Sequence, residues 1–321
     1  MGNPLTGVIA KLDEYQRRHA WLGFPVAVVK KFGDDEAGKQ AALISYYGFF
    51  SLFPLLLVMA TVLSFFLAGS SNLQDEVEHS VFSRFPVIGD DIQHQLGHIH
   101  GSGIALAVGT VLALWAGMAV VRAAQGAMDA VWRVPRKKRP NFVRSRLRAL
   151  LLLLILGVGV IGATVLTGLA TAGTGHSMAT KVIALVISTL VNFAVFLAAM
   201  KLLTVADVSW RWLVPGAVLA AISGLGLQAL GGYFISHIST KATNTYGTLG
   251  VVIIMLTWIS LLAQVFLFAA EVNAVRALHL WPRGLAVDAP TDADLRALRD
   301  LAEVEERTPG EDVDVKFQRV S

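Results

Sequence analysis

Long apolar runs separated by short charged segments dominate the pattern of this sequence. The first run covers residues 41–68 without one charged side chain. A helix of about 20 residues crosses a hydrocarbon core of about 30 Å, so this run is long enough to span a membrane. Five further runs follow at about residues 102–121, 147–172, 181–203, 212–235 and 246–275. The pattern predicts an all-α polytopic membrane protein with six transmembrane helices.

Amphipathic segments flank the first predicted span on both sides. In residues 1–40 the apolar side chains recur at helical spacing, which predicts helices that lie on the membrane surface. Residues 69–101 repeat this spacing on both sides of Pro86, which predicts a second interfacial pair outside the cytoplasm. Near the C-terminus, Thr291 and Asp294 have the spacing of a capping box. We expect a short helix there, followed by a disordered end.

Composition and charge agree with a membrane protein and orient it. The chain is 55% hydrophobic and 16% charged, against about 25% charged residues in a typical soluble domain. Six spans place both termini on one side, and that side receives 24 of the 27 Lys and Arg residues. By the positive-inside rule, both termini are cytoplasmic. We therefore expect a cytoplasmic segment 1–40, a membrane domain 41–280 and a cytoplasmic tail 281–321.

Polar side chains inside the predicted spans are the candidate functional residues, because polar groups in hydrocarbon are costly. One interpretation is that they line a polar cavity open to the cytoplasm, with Pro54 bending the first span. The other is that they form interhelical hydrogen bonds that fix the bundle. The predicted cavity residues are Gln40, Tyr47, Ser51, Pro54, Arg122, Gln125, Asp129, Asn192, Gln228, Gln264 and Glu271.

Two of the spans carry further expectations. Glu271 is the costliest of these groups to leave unpaired, so we expect a cationic partner, with Arg122 and Arg276 as candidates. In the fifth span, Gly216 and Gly224 are eight residues apart on one helical face. Small residues at this spacing let helix backbones approach closely in lipid, so this span is expected to be a central packing helix.

A basic run after the second span has several readings. It comprises Arg136, Lys137, Lys138 and Arg139. The positive charges could serve topology alone, or they could contact anionic lipid headgroups. Nucleic acid is the least favoured partner, because no aromatic stacking platform or RNA-binding signature accompanies the run.

Catalytic chemistry has little support in the sequence. With no cysteine in the chain, disulfides, thiolate metal sites and thiol nucleophiles are excluded. No zinc-hydrolase, nucleophile-elbow or phosphate-loop motif occurs. We therefore expect neither an enzyme nor a bound cofactor or metal.

Three motifs in combination resemble a known family. They are residues 40–54 (QAALISYY leading into SLFP), residues 122–134 (RAAQGAMDAVWRV) and residues 246–273 (from YGTLG to AEVN). Together they resemble the YihY/BrkB family of bacterial inner-membrane proteins, which includes the YhjD branch. The resemblance covers roughly residues 30–280.

The resemblance implies a six-span inner-membrane protein that supports envelope integrity and serum resistance, with lipid export in the YhjD branch. It favours transport or flipping of a lipid-linked or amphipathic envelope component. The alternative is a non-transporting scaffold that organises envelope enzymes through its tail. Some members were labelled ribonuclease BN, but this sequence shows no hydrolytic site. Membrane lipids and a lipid-linked substrate are the expected partners, and the pattern leaves open whether the chain forms a homo-oligomer.

Overall fold

All regular secondary structure in the described residues is helical. The computed structural model of the chain describes residues 4–67, 103–141, 143–155, 157, 178–285 and 290–317. In these ranges the chain forms α-helices and one 3₁₀ turn, and no strand. The all-α fold class predicted from the apolar pattern is confirmed for this part of the chain.

The helices follow one another with short connections. A 3₁₀ turn, Arg136–Lys138, lies between the fourth and fifth α-helices. In chain order, the α-helices are α1 (Pro4–Arg18), α2 (Ala20–Asp34), α3 (Ala37–Leu67), α4 (Gly103–Val131), α5 (residues 143–155), α6 (Met178–Leu203), α7 (Trp210–Tyr246), α8 (Thr248–Ala277) and α9 (Asp292–Glu303).

Among the described residues, three helices are long and apolar enough to cross a membrane. The stretches that qualify are Ala107–Val131 in α4, Trp210–Leu227 in α7 and Val252–Ala277 in α8. They confirm the helices predicted for the second, fifth and sixth spans. The predicted spans at 41–68 and 181–203 overlap α3 and α6. The predicted span at 147–172 overlaps α5 at residues 147–155, and most of its remainder lies outside the described residues. Their crossing of the membrane stays a prediction, and the predicted interfacial pair at 69–101 lies outside the described residues.

Left-handed backbone conformations mark several helix ends. Glu36, Arg133 and His279 have φ values of 51°, 50° and 52°, and Gly247 has 58°. A residue in this conformation ends an α-helix and turns the chain away from its axis. For Arg133, the turn directly after α4 positions a long cationic side chain beside α2.

Helix α2 has both buried and exposed apolar side chains. Ala27 and Val28 are buried and pack in one cluster with Val275 of α8. Trp21 and Val29, by contrast, are 69% and 61% exposed. The helix predicted here from periodicity is confirmed, but it is bound to α8 along one side. Contact of its exposed face with the membrane surface stays a prediction.

The capping box predicted at the start of α9 is present. The Thr291 hydroxyl accepts a hydrogen bond from the Asp294 amide at 3.2 Å. The Thr291 amide donates to the Asp294 carboxylate at 3.0 Å. Together these bonds satisfy two amides that a helix start would otherwise leave unpaired. The predicted short helix is thereby confirmed.

The chain divides into two compact units, each assembled from separate stretches. The first comprises Met1–Ala42, Arg122–Leu227 and Leu262–Ser321, and the second comprises Leu43–Val121 and Gln228–Leu261. Within the second unit, a Cβ atom at Gly48 would lie 3.2 Å from Ile259, so α3 and α8 approach closely there. The division predicted at residues 40 and 280 concerns position relative to the membrane and stays a prediction.

Candidate functional site

The candidate site is a group of buried charged side chains in the first unit. It consists of Lys31 and Asp35 from α2 and its end, Arg133 after α4, and Glu271 on α8, and is called the charged cluster below. The side chains of Lys31 and Glu271 are 0% exposed, and those of Asp35 and Arg133 are nearly as buried. Removing an ion from water costs several kcal/mol even after the protein relaxes, so each charge here needs a partner.

One lysine joins three helices. The Lys31 ammonium lies 2.8 Å from Glu271 Oε2 and donates a hydrogen bond to the Asp35 carboxylate. It also donates to the carbonyl of Val131 at 2.7 Å. Val131 is the last residue of α4. The carbonyls at the end of a helix receive no hydrogen bond from an amide of the same helix, and they attract cations. Lys31 thus binds α8, the end of α4 and its own helix at once.

Arg133 extends the charged cluster to the tail helix. Its Nη2 atom lies 3.4 Å from Asp35 Oδ1, and its Nη1 atom lies 3.6 Å from Asp300 Oδ2 on α9. The same guanidinium donates to the carbonyl of Ala297. Asp35 is therefore neutralised by two cations, whereas Glu271 has only a share of Lys31.

A second group of charges fastens the tail to α2. Arg283 lies 2.8 Å from Asp34 and 2.7 Å from Asp294. Lys30 approaches the same Asp294 carboxylate at 2.9 Å. One carboxylate of α9 is therefore held by two cations, one from α2 and one from the segment before α9.

The surroundings of Asp294 hold its carboxyl in the charged form. Burial by itself raises the pKa of this group. The Arg283 guanidinium, the amides of Thr291 and Gly284, and Lys30 all donate hydrogen bonds to the carboxylate, and they lower its pKa well below the usual range. A carboxylate with this many donors stays ionised throughout the neutral and mildly acidic range.

Two buried carboxylates keep an oxygen without a hydrogen bond. Among the described residues, Glu271 Oε1 has no hydrogen-bond partner, and Oε2 meets Lys31 as an ion pair rather than as a well-aligned hydrogen bond. Asp129 Oδ1 on α4 also has none. Buried polar atoms are nearly always paired, so each such atom calls for an explanation.

Three of the predicted cavity residues lie near the end of α4. Gln125 and Asp129 are buried, and Arg122 is exposed. The Gln125 side chain accepts a hydrogen bond from the Ser145 hydroxyl at 2.9 Å, which joins α4 to α5. Asp129 lies 3.8 Å from the Arg139 guanidinium. The contact between Gln125 and Ser145 matches the interhelical pairing that was the alternative to a cavity, whereas Asp129 pairs with the segment that follows its own helix.

The other predicted cavity residues are spread over both units. The Ser51 hydroxyl donates to the carbonyl of Gly48 on its own helix at 2.8 Å. The side chain of Gln228 lies outside the described residues. In the first unit, Gln40 and Asn192 are half-buried and Gln264 is exposed. In the second unit, Tyr47, Ser51 and Pro54 are half-buried. That these side chains line a common cavity stays a prediction.

The predicted partner of Glu271 is wrong. The sequence pointed to Arg122 or Arg276, whereas the cation beside Glu271 is Lys31. Arg276 stacks over the Trp212 ring instead, at 5.9 Å from its centroid. A signal for Lys31 was present in the sequence, because this lysine shares the apolar face of α2 with Ala27 and precedes Asp35 by one turn.

Asn273 is a buried residue that the polar-face argument missed. Its side-chain oxygen accepts from the Gly216 amide at 2.7 Å, and its nitrogen donates to the carbonyl of Leu213 at 3.1 Å. Both partners lie in the first turns of α7, near Pro215, which has no amide to donate. The close packing predicted at Gly216 is confirmed, because a Cβ there would lie 2.2 Å from the carbonyl of Ala269.

The tail occupies part of the predicted lipid-binding run. Arg136 pairs with Glu305 at 3.0 Å, and Lys137 pairs with Glu306 at 2.8 Å. The amides of the same two basic residues donate to the carbonyls of Val304 and Glu306. The short helix predicted to about Glu306 ends at Glu303, and residues 304–306 pair with the basic run instead.

The two remaining members of the run differ in their surroundings. Lys138 is exposed, and Arg139 donates to the carbonyl of Val134 at 3.2 Å. Contact of Arg136, Lys137, Lys138 and Arg139 with anionic lipid stays a prediction, and for the first two it would compete with the tail carboxylates.

Comparisons with known proteins agree on a family. The family model described as "Virulence factor BrkB" matches residues 28–286. The chain is 26% identical over 269 residues to the "Putative ribonuclease-like protein YfkH" of Bacillus subtilis (strain 168), which covers 79% of this chain and 95% of the relative. It is 24% identical over 276 residues to the "UPF0761 membrane protein VV0203" of Vibrio vulnificus (strain YJ016), covering 82% and 85% respectively. No solved structure matches the chain.

Proposed function

We propose that this chain, which belongs to the Virulence factor BrkB family, supports the bacterial cell envelope by moving a lipid-linked or amphipathic envelope component across the inner membrane. The relatives named UPF0761 are membrane proteins by name. The ribonuclease-like name belongs to the YfkH relative, and the family description names no enzyme. A non-enzymatic function in the membrane fits these names and the apolar helices together.

The observation that carries the proposal is the ion pair between Lys31 and Glu271. Glu271 lies within a helix that is long and apolar enough to cross a membrane, and it is completely buried. A buried ion pair contributes little stability compared with apolar side chains of the same size. Ionisable residues inside membrane domains commonly mark substrate or ion pathways. The pair therefore supports a functional role better than a purely structural one.

The arrangement also offers two alternative pairings. Lys31 faces carboxylates on two different helices, Glu271 on α8 and Asp35 at the end of α2. If α8 moves away, Lys31 keeps Asp35 as counter-ion, so the separation does not leave the lysine unpaired. A transporter needs such an element, because a substrate shifts an equilibrium between two conformations only if both are accessible.

The proposal can be tested with purified full-length protein in vesicles of phosphatidylethanolamine and phosphatidylglycerol. The probe is phosphatidylglycerol carrying a fluorescent headgroup label, and dithionite added outside bleaches only the outer leaflet. We expect the wild-type protein to expose the inner-leaflet probe much faster than protein-free vesicles do. Glu271→Gln should slow this movement, whereas Glu303→Gln, at an exposed acid of α9, should not. Wild-type protein no faster than protein-free vesicles would contradict the proposal.

A scaffold that recruits envelope enzymes is the second candidate function. The support for it comes from exposed apolar side chains of the tail. On α9, Leu298 is 47% exposed, and near it the Arg299 guanidinium lies 5.6 Å from the centroid of the exposed Phe317 ring. Deleting the whole tail would not separate the candidates, because Asp294 and Asp300 neutralise cations of the first unit. A substitution on the exposed face avoids this difficulty.

Leu298→Glu and Glu271→Gln together discriminate the two functions. Each variant is expressed in a strain that lacks the native protein, and envelope integrity is measured as resistance to detergent. A transporter predicts that Leu298→Glu restores resistance and Glu271→Gln does not. A scaffold predicts the reverse.

A further inference from the structure

Glu271 is the least neutralised member of the charged cluster. Lys31 gives two of its three N–H donors to Asp35 and to the Val131 carbonyl. That leaves at most one donor for Glu271, whose Oε1 atom has no hydrogen-bond partner among the described residues. The carboxylate is therefore buried with one oxygen in an ion pair and the other without a hydrogen-bond partner from the described residues.

Few charges face this carboxylate within the described residues. From α2 and its end they are Lys31 and Asp35. Arg133, from the turn after α4, contacts Asp35, and Asp300 of α9 contacts Arg133. The second cation of the charged cluster thus serves Asp35 and not Glu271. If Lys31 moves away together with α2, none of these groups provides a cation beside Glu271.

The geometry points to Glu271 as a proton-binding residue whose protonation is linked to the docking of α2 on α8. A hydronium ion from the aqueous phase gives one proton to the unpaired carboxylate oxygen, so one O–H bond of hydronium breaks, one O–H bond of the carboxyl group forms, and a water molecule is left. The neutral side chain loses its attraction to Lys31, which remains paired with Asp35. Conversely, the charged side chain requires Lys31 nearby, so it favours the docked position of α2.

This inference deepens the proposed function by naming a proton as the coupling ion. Coupling to transport rests on the proposed function, but proton binding by Glu271 does not. A buried carboxylate with a single shared lysine can exist charged while α2 is docked and neutral when it is not. Two such states provide the linkage that proton-driven movement of a substrate requires.

Infrared spectroscopy of the full-length protein in lipid nanodiscs tests proton binding directly. Acidification should produce a carbonyl band of a protonated, buried carboxyl group in the wild type. The band should be lost in Glu271→Gln and kept in Asp129→Asn. The second variant alters the other buried carboxylate that has an oxygen without a hydrogen-bond partner in the described residues. Identical spectra for the wild type and Glu271→Gln, or loss of the band in Asp129→Asn alone, would overturn the inference.

If Glu271→Gln does not fold, the double variant Lys31→Met/Glu271→Gln, which removes both charges, should lack the band. A further variant tests the cation. In Lys31→Met the cation is absent, so the carboxyl band should persist at a higher pH than in the wild type. A band at unchanged pH in Lys31→Met contradicts the inference. A spectral change that follows sodium concentration at fixed pH also contradicts it, because the site would then bind a metal cation.

The lipid-probe assay separates the two claims. A carboxyl band that depends on Glu271 in a protein that does not move the probe would leave the proton site standing and remove the transport function. Probe movement by a protein that lacks this band would remove the proton site and leave transport standing.

Discussion

Lys31 is a buried cation that connects three segments of the first unit. It is fully buried and meets two carboxylates and the terminal carbonyl of α4. Because three segments share this one ammonium group, its removal affects more than one contact. We therefore expect that removing Lys31 lowers the free energy of unfolding more than removing one member of a surface ion pair does.

Replacing Lys31 with methionine should destabilise the protein strongly. Breaking a buried ion pair on one side typically costs about 3–5 kcal/mol, because the other charge stays buried. The double variant Lys31→Met/Glu271→Gln should recover most of this loss, since no uncompensated charge remains at Glu271. Lys39→Met is the matched control and should change stability by less than about 0.5 kcal/mol, because Lys39 pairs with Glu36 in solvent. Chemical unfolding in detergent micelles measures all three, and equal costs for Lys31→Met and Lys39→Met would contradict this account.

Gly216 should tolerate no side chain. A Cβ atom there would lie 2.2 Å from the Ala269 carbonyl and 2.4 Å from Asn273 Nδ2. Gly216→Ala must therefore push α7 from α8, and we expect a loss of about 1–3 kcal/mol or more. On the same helix, nothing lies within 4 Å of the corresponding position at Gly226. Gly226→Ala should be neutral or stabilising by up to about 1 kcal/mol, and the same unfolding assay compares the two.

At the residue scale, the sequence predicted which side chains need a partner better than it predicted which residues those partners are. It identified Glu271 as a group that requires a cation, because a charge in a membrane span is costly. The position of Lys31 on the apolar face of α2 was a signal that this lysine is buried. The sequence could not pair it with Glu271, since the two lie 240 positions apart in the chain and only tertiary packing brings them together. Asn273 was missed for a related reason: an asparagine near a helix end has many solvated alternatives, and its two partners belong to another helix.

The tail helix α9 behaves as part of the first unit because Asp294 binds two cations. Asp294→Asn should release it, since a hydrogen bond to a charged group contributes about 1.5–3 kcal/mol. Hydrogen exchange of the α9 amides should then quicken by at least about tenfold, which corresponds to 1.4 kcal/mol. Asp292→Asn, at an exposed acid in the same turn, is the control. Equal exchange in both variants would show that Asp294 does not hold the tail.

The docking of α9 should resist mild acid. The pKa of folded Asp294 is lowered, so its contribution is present above the ordinary aspartate pKa of 3.8 and is lost only as pH falls through the lower folded value. The protection of the α9 amides, corrected for intrinsic exchange, should therefore stay constant between about pH 5 and pH 8. Loss of protection within that range would mean that another group controls docking.

Elements with local signals were predictable from the sequence. The capping box between Thr291 and Asp294 predicted the start of α9, and helical periodicity predicted α2. The docking of α2 on α8 was not predictable, because α2 has apolar side chains on two faces and the sequence does not say which face meets protein. The pairing of residues 304–306 with the basic run was not predictable either, because the sequence placed these residues at the end of the short helix and gave no signal for a partner 169 positions away.

The topology of the whole molecule can be tested with single cysteines, because the native chain has none. With both termini in the cytoplasm, cysteines at Lys39 and Glu303 should react with an impermeant maleimide only after the cells are opened. A cysteine at His100, in the predicted external segment, should react in intact cells. Labelling of Lys39→Cys or Glu303→Cys in intact cells would contradict the predicted orientation.

For the molecule as a whole, the sequence predicts lengths and sides but not assembly. Apolar runs predicted six spans, and in the part of the chain that the structure describes three helices have the length and composition to cross a membrane. The all-helical class follows from the same physics, because helices satisfy their own backbone groups in lipid. Packing between helices that are distant in the chain decides which of their polar faces meet. Periodicity along the sequence therefore could not establish the predicted cavity.

The most direct test of the central claim uses the double variant Lys31→Met/Glu271→Gln in the lipid-probe assay. This variant removes both charges, so it should fold with nearly native stability while lacking the pair. If the buried pair serves transport, probe movement should fall by about tenfold or more, since even 1.4 kcal/mol in a barrier gives tenfold. A folded double variant that moves the probe at the wild-type rate would show that the pair only holds α2 to α8, and would contradict the account.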